Sequence, residues 1–595
     1  MSRVTYTQYM GRGKRKDKRL SSKVIPLTSI QSQLIAALVA QLGLDPSQIQ
    51  EALGEAKPKF GDLAINCHPL ARALDCDPTH LATQIVEGVS TLEGVDVATS
   101  VGTFVNIRLD TAPLLTALAA SALSGQNLLA GVEGQGKRLV IEFSSPNAAR
   151  GLGFHHLRGT SLGAALARLY QLRGYAVTKV NYLGDFGHNI GLLLWKLDQT
   201  GVKGPVTPAR LQQLYVAANK DQERDPTVKA DADRWLGLLS SGDKMAQARW
   251  QMLVTTTKRE LEKTYARLGI SFDDWQGESH YVDRAREAAA KLLSARVAKR
   301  GDDAAVYVPG DDEHQPIVLI TSAGNTTYEC RDIAALLDRH ENFSYARSLY
   351  LTDTGQSGRF VALIDAAGEL DRAAAAGCEH LGFGQMRLEG AKAKSREGKT
   401  LTLTRVLNEA AARAKEVLGE REWPAADVKR LAEEVGVGAV LFSQLRMRRA
   451  ADFEFDLSRA VSLQGATSPR IQYTHARIQA ILAKAGINSQ QALASGDVRL
   501  LTHPAEHAVA LAAIRLPEAA ERALAADDVS YIADALLSLT DAWAHYQTAG
   551  KLDPALRVLS DDPALRGARL QLAAITAAAA KDGLAVLGIS APARM

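Results

Sequence analysis

Cysteine is scarce in this chain: Cys67, Cys76, Cys330 and Cys378 are the four among 595 residues. They are scattered, so no disulfide framework is expected, and the usage fits a reducing cytoplasm. Cys67 and Cys76 lie near His80, but their spacing matches no known metal-site type, and no metal site is expected. Apolar runs of membrane-spanning length are missing, and so is the charged-apolar-small pattern of a signal peptide. No membrane association is expected. A repeat of fixed period is also missing, even in the long Ala/Leu-rich C-terminal third, which argues against a solenoid. A large net charge is absent too, at +4 overall.

The length predicts three or four domains, because one core does not serve 595 residues. With 46% apolar and 23% charged residues, the composition is that of a globular protein. The charge is unevenly placed. Residues 1–24 hold eight Lys/Arg against Asp17 alone, a net +7 that leaves −3 for the rest of a chain totalling +4. This basic, disordered tail is either a solvated extension or a polyanion contact, and composition does not choose between them.

The most informative stretch is Leu139 to Gly191. Leu139 to Phe143 has strand length and is followed by a polar loop. A helix pattern then starts near His156, with Leu162, Leu166 and Leu169 on one face, and stops at Gly174. Ala176 to Val180 reads as a second strand. Strand, loop, helix and strand in this order predict a doubly wound nucleotide-binding unit. In such units phosphate sits where the loop meets the helix N-terminus, since free N–H groups and the helix dipole favour it there. His155 and His156 mark that junction.

Before this unit, residues 25–115 read as a compact α+β domain. Ile30, Leu34, Leu38 and Leu42 have helical spacing, Lys57 to Asn66 reads as a loop entering a helix, and Gly102 to Leu109 as a strand. Residues 116–136 read as a linker. A helical insertion is expected over about residues 195–300. Val306 to Gly310, Pro316 to Ser322 and Ser348 to Asp353 read as strands of a second α/β half, which closes the catalytic domain at 137–403. The Gly/Lys-rich loop with Lys392, Lys394, Arg396 and Lys399 suits a clamp on phosphates. Residues 404–595 read as all-helical, with Arg446, Arg448 and Arg449 as a basic cluster.

Several motifs occur in family order: VIEFSSPN from Val140, NYLGDFGHNIG from Asn181, FDDWQGES from Phe272, TTYECRDIA from Thr326, GQSGRF from Gly355 and LQGATSPRIQYTHARI from Leu463. Together they resemble arginyl-tRNA synthetases of class I over nearly all of residues 25–595. The resemblance implies a multidomain α/β protein. Its parts are an N-terminal domain contacting the tRNA elbow, a Rossmann-type catalytic domain with a helical insertion, and a C-terminal all-α anticodon-binding domain. It implies a cytoplasmic, monomeric ligase with L-arginine, ATP and tRNA(Arg) as partners, and no tightly bound cofactor. Arginine and ATP, accompanied by Mg2+, form arginyl-adenylate, and the arginyl group passes to tRNA, which generally must be bound first.

By match to the family, Glu142, Asn147, Tyr328, Asp332 and Gln356 bind arginine. Carboxylates and planar acceptors are what a guanidinium requires. Ser145, Gly153, His155, His156 and Lys394 bind ATP. His156, His155, Arg150, Lys392, Lys394 and Arg396 are the catalytic set. Arg446, Arg448, Arg449, Arg470, Tyr473 and His475 contact tRNA, the arginines by charge and the rings by stacking on bases.

The sequence departs from the family most in its signature motif. Where His-x-Gly-His is usual, this chain reads Gly153-Phe154-His155-His156. The second histidine is kept as His156, the first is a glycine, and the glycine is a histidine. Arg150 replaces a lysine, Ala323 stands where an aspartate is common, and Arg470 and His475 stand where aromatic residues are common. The arginine side is thus intact, and the ATP side and parts of the tRNA side are altered. Three readings are open: a divergent working synthetase, an enzyme activating arginine for another acceptor, and a non-catalytic binder of arginine or tRNA.

Overall fold

A computed structural model of the chain describes residues 27–57, 59–148, 151–202, 204–310, 316–388, 402–419 and 423–595. The basic tail, Arg150, Lys392, Lys394, Arg396 and Lys399 lie outside the described residues.

The N-terminal unit packs helices α1 (Leu27–Leu42), α2 (Pro46–Ala52), α3 (Cys67–Leu74) and α4 (Pro78–Val89) on an antiparallel sheet. The sheet has the order β1 (Leu53–Glu55), β2 (Leu63–Asn66), β4 (Phe104–Leu109), β3 (Val95–Val101). Asp45, Asn66 and Asp77 cap the helices that follow them, each accepting a hydrogen bond from the first turn. Two expectations need correction here. Lys57 to Asn66 does not lead straight into a helix, because Leu63 and Ile65 are buried in alternation and form β2 before α3 begins. Residues 116–136 are not wholly a linker. Helix α5 (Thr111–Leu123), capped by Asp110, runs across the expected boundary and buries Leu114, Leu115 and Leu118.

The central unit is built on a four-stranded parallel sheet in the order β11 (Cys378–Phe383), β10 (Arg347–Asp353), β5 (Arg138–Glu142), β6 (Ala176–Val180). Helix α6 (His156–Leu172) connects β5 to β6. The chain then runs through α7 (His188–Gln199), α8 (Pro208–Arg224), α9 (Thr227–Ser240) and α10 (Lys244–Arg267). Helix α11 (Val282–Ser294) falls inside the expected insertion, yet it buries Ala285, Ala289 and Leu292 in the same core as α12 (Tyr328–Phe343). The expected strands near 306 and 317 do not join the parallel sheet. They are β8 (Val306–Val308) and β9 (Ile317–Ile320), which form a separate antiparallel sheet with β7 (Lys299–Arg300). After β10 come α13 (Ser357–Gly368), α14 (Arg372–Ala376), β11 and β12 (Met386–Leu388). The order places the topological switch between β5 and β10, where doubly wound sheets open a crevice at the carboxyl ends of their strands.

The C-terminal unit is helical: α15 (Leu403–Leu418), α16 (Ala425–Leu445), the short α17 (Leu457–Ala460), α18 (Ser468–Lys484), α19 (Ser489–Leu493), α20 (Pro504–Ala526), α21 (Ser530–Leu552) and α22 (Pro563–Val586). Strand β13 (Phe453–Phe455) pairs with β12 and joins this unit to the central one. Arg158 of α6 reinforces the joint. Its buried guanidinium donates to the carbonyls of Gln444, Arg448, Arg449 and Ala451 at 2.9–3.1 Å. The N-terminal unit meets the helices through Asp62, whose carboxylate lies 2.9 Å from His507 Nε2.

Candidate active site

The loops after β5 and β6 are stitched together at the carboxyl end of the sheet. Ala148 N–H donates to the Gly184 carbonyl at 2.9 Å, and Gly184 N–H to the Pro146 carbonyl at 3.0 Å. A Cβ at 184 would displace the Asn147 side-chain amide, since it would fall on Oδ1, so the glycine leaves that amide in place. The 272–279 motif is drawn in as well: Asn181 N–H donates to the Asp274 carbonyl at 2.9 Å and Glu278 N–H to the Leu183 carbonyl at 3.0 Å. Asp185 is buried and accepts from Ser279 N–H at 2.8 Å and Ser279 Oγ at 2.7 Å. Three sequence motifs therefore form one wall.

Ser144 and Ser145, directly after β5, have φ of 72° and 40°. Two consecutive side-chain-bearing residues in the left-handed region are strained, and such strain gathers at functional loops. Ser144 Oγ is held by Tyr265 Oη at 2.7 Å and Thr160 Oγ1 at 2.8 Å, while Ser145 Oγ donates to Glu142 at 3.3 Å.

Phe154 packs on Phe455 and seats the signature turn against the helical unit. Gly153 N–H donates to His156 Nδ1 at 3.1 Å. A backbone N–H only donates, so Nδ1 accepts and a neutral His156 carries its proton on Nε2. The side chain of His155 turns back over Gly153: a Cβ on Gly153 would lie 2.6 Å from His155 Cε1 and 2.8 Å from Nδ1. The two imidazoles are 4.0 Å apart. His155 thus fills the volume that a side chain at position 153 would enter. Leu403 N–H donates to the Leu152 carbonyl at 2.9 Å, and Thr402 bridges Gly153, so the segment after 389–401 returns to the signature turn.

On the other side of the crevice, α12 carries Tyr328 and Asp332, and the turn after β10 carries Gln356. Tyr328 is 50% exposed and offers a ring face. Burial pushes the Asp332 carboxyl up to about 7, against the pull of Arg359 and with a further push from Glu142. Glu142 is buried and paired with Arg339 at 2.6 Å. Asn147, exposed, and Gln356, exposed, lie on the two loops that follow β5 and β10.

All five expected arginine-side residues are thus on the elements flanking the switch point. The resident cations beside them were not assigned from sequence. Arg331, Arg339 and Arg359 each hold one of the local carboxylates: Glu278, Glu142 and Asp332 respectively. The signal was present in the sequence, in the arginines at the i−1 and i+7 positions relative to Asp332 and in GQSGRF itself.

The expected tRNA contacts divide. Tyr473 is 40% exposed and bonded to Arg477 at 3.3 Å. Arg448 is half-exposed, stacked 4.1 Å over Tyr531 and paired with Asp534 at 2.9 Å. Arg446 is partly buried just after α16. Arg470 is paired with Asp541 and partly buried. Two assignments need correction. His475 is buried and its Nδ1 lies 2.9 Å from the Pro592 carbonyl. It packs the C-terminal segment and leaves almost no ring exposed for a base, and burial lowers its pKa. Arg449 bonds the carbonyls of Gly382 at 2.6 Å and Asp527 at 3.0 Å, which makes it a tie between the central and helical units. A groove of about 1010 Å³ between the N-terminal sheet and α20–α21 was missed from sequence; Lys59, Phe60, Arg108, Arg448, Arg515 and Arg522 line it.

Among the described residues no three His, Cys, Asp or Glu are arranged to hold a metal ion, and no helix is long and apolar enough to cross a membrane.

Comparison with known proteins identifies the family of the whole chain. The family model described as "tRNA synthetases class I (R), catalytic domain" matches residues 119–457. Those described as "Arginyl tRNA synthetase N terminal domain" and "DALR anticodon binding domain" match 28–109 and 471–595. The chain is 32% identical over 556 residues to the arginine–tRNA ligase of Oenococcus oeni, covering 91% of this chain and 95% of that one. It is 33% identical over 540 residues to that of Chloroflexus aggregans, covering 88% and 92%. The solved arginyl-tRNA synthetase of Thermus thermophilus superposes with a TM-score of 0.77 at 25% identity, over 95% of this chain and 99% of that one.

Proposed function

The chain belongs to the class I arginyl-tRNA synthetase family, and from that premise we propose how its residues perform the ligation of L-arginine to tRNA. Arginine enters the crevice between the loops after β5 and β10. Asp332 takes the guanidinium, the Tyr328 ring covers it, and Asn147 and Gln356 take the α-amino and carboxylate end. Glu142, already paired with Arg339, acts by shaping the negative field rather than by direct pairing. The arginine carboxylate attacks the α-phosphate of MgATP, pyrophosphate leaves, and arginyl-adenylate forms. The 2′-hydroxyl of the terminal adenosine of tRNA then attacks the arginyl carbonyl, and AMP leaves.

His156 faces the phosphates at the N-terminus of α6, where negative charge builds up in the transition state, and His155, folded over Gly153, reaches them from the space a side chain at 153 would occupy. Lys392, Lys394, Arg396 and Arg150 complete the phosphate side, and Ser145 and Gly153 border the ATP. The magnesium comes with ATP, and no residue of the chain is assigned to hold it. tRNA lies along Arg446, Arg448 and Tyr473 and the groove beside Arg515 and Arg522, where phosphate contacts supply salt-dependent affinity. By domain, residues 25–115 contact the tRNA elbow, 137–403 carry the chemistry and 404–595 read the anticodon. The enzyme acts as a cytoplasmic monomer.

The gathering of the five arginine-side residues and two histidines around one switch point is the observation that carries this reading. The test is tRNA-dependent, arginine-stimulated exchange between ATP and pyrophosphate, together with charging of tRNA. Both are expected. Exchange without charging would move the enzyme to another acceptor, and loss of both would sink the catalytic reading.

Two further results are expected. Asp332 must be ionised to hold a guanidinium, and its free-enzyme pKa is about 7. kcat/KM for arginine should therefore fall as pH drops through that value, by roughly tenfold per unit below it. Bound arginine favours the charged form, so kcat should decline only at lower pH. A kcat/KM profile for arginine that is flat from mildly alkaline to mildly acidic buffer would contradict this role.

The second result concerns the signature. His155→Gly removes the imidazole that fills the space beside Gly153, and should lower the exchange rate by about 10². Adding Gly153→His to that variant returns an imidazole to the same volume, and the rate should recover to the parent level or above. Gly153→His alone collides with the ring of His155 and should not help. If the double exchange is as slow as His155→Gly, the two positions are not interchangeable.

A further inference from the structure

Three carboxylates of the crevice, Glu142, Glu278 and Asp332, each already have an arginine of this chain, and a fourth, Glu329, lies 3.9 Å from Arg359. A substrate guanidinium must therefore share one of them or displace an occupant. Two occupants are fixed. Arg331 is 4% exposed and bonds Glu278 through Nε at 3.1 Å and Nη2 at 2.6 Å, and Thr326 through Nη1. Arg339 is 1% exposed, bonded to Glu142 and sandwiched by the rings of Tyr182 and Tyr350 at 5.3 and 5.7 Å.

Arg359 differs. It is 23% exposed and sits at the start of α13, beside the turn that carries Gln356. Its partners are the substrate-side residues themselves: Nη2 on Asp332, Nη1 on Gln356 Oε1 at 3.1 Å, and the guanidinium 4.4 Å over the ring of Tyr328. Its Nε is buried without a hydrogen-bond partner among the described residues, and Glu329 is 3.9 Å away. A carboxylate, a planar amide acceptor and an aromatic face are what a guanidinium ligand needs.

We propose that Arg359 is an internal stand-in for the substrate: in the arginine-free enzyme its guanidinium occupies the place on Asp332, Gln356 and Tyr328 that L-arginine takes, and the substrate binds by exchange. The inference rests on the assignment of those three residues to the arginine site. The exchange has a physical logic. A carboxylate left alone in a desolvated crevice is costly, and one guanidinium replacing another keeps the charge count constant. Arg359 reaches solvent with a small rotation, because it is already partly exposed. The device sets affinity as well. If Arg359 holds the site nine-tenths of the time, the apparent affinity for arginine is reduced about tenfold.

The test is Arg359→Gln, assayed by tRNA-dependent exchange in mildly alkaline buffer. The KM for arginine should fall about tenfold while the KM for ATP stays unchanged. A general loosening of the fold would move both. An unchanged arginine KM would mean that Arg359 and substrate coexist, and a raised one that Arg359 grips the substrate; either overturns the proposal. Asp332→Asn separates this from the reading beneath it. If that variant leaves the arginine KM unaltered, the site assignment itself fails, whatever Arg359 does.

Discussion

Replacing His156 by alanine should lower arginine-stimulated exchange between ATP and pyrophosphate by roughly 10²–10³-fold, the usual cost of losing one donor to a developing oxyanion. The effect should fall on kcat, with the KM for arginine little changed. The reason is local. Gly153 N–H commits Nδ1 of His156 as an acceptor, which leaves Nε2 as the proton-bearing nitrogen of the neutral ring and the donor this reading assigns to the phosphates. The bond also fixes the ring, so the donor needs no reorganisation when charge builds up. His156 opens α6 and is only partly buried, so its removal should leave the fold intact. His155 lies 4.0 Å away and should not compensate, because its ring is turned over Gly153. Thermal unfolding of the variant near the parent midpoint, with exchange nearly abolished, is the expected pair of results. Unchanged exchange would remove His156 from the chemistry.

Much of this site was legible because its elements are short and locally determined. Val140 and Ile141 form a buried strand, the loop after Glu142 is polar, and the Leu162, Leu166, Leu169 spacing builds α6. What escaped was long-range. Leu63 to Asn66 carries a strand signal of two buried positions, too few to outweigh the helix that follows, and pairing with Leu53–Glu55 and Phe104–Ile107 makes it a strand. Helix α5 was cut at 115 because small residues there resemble a linker, and burial of its leucines is a tertiary fact.

The same limit applies to side chains. His475 and Tyr473 share a helix and a motif, yet one faces the C-terminal segment and the other faces outward. Arg448 and Arg449 are adjacent, and only the first reaches the groove. A basic residue in a motif can be a phosphate contact or a tie between units, and only its partners decide. The relation of His155 to Gly153 is the opposite case. The sequence shows the substitution plainly, but only the fold reveals that one fills the other's space.

The second large effect is expected for Asp332→Asn. The amide keeps the shape and removes the charge, so the guanidinium of arginine loses its ionic partner inside a desolvated crevice. Truncating one side of such a pair costs about 2–5 kcal/mol, so kcat/KM for arginine should fall by roughly 30- to 4,000-fold. Most of the loss should appear in KM. Stability should move the other way, or not at all. Burial raises the Asp332 carboxyl from its ordinary 3.8 to about 7, so the folded state disfavours the charged form. What a raised carboxyl contributes to stability is fully present below the unfolded pKa and lost as pH rises through the folded one. Above that value the ionised Asp332 is a burden on the fold, and a neutral amide relieves it. Arg359 gives up its ionic partner in the variant, but it is partly exposed and can turn to water. The expected signature is thus an enzyme that no longer recognises arginine yet melts no lower than the parent, measured in mildly alkaline buffer. A variant that loses stability and activity together would mean that Asp332 is a structural partner of Arg359 alone, and the negative charge that recognises the substrate would then have to be sought at Glu329 or Glu142.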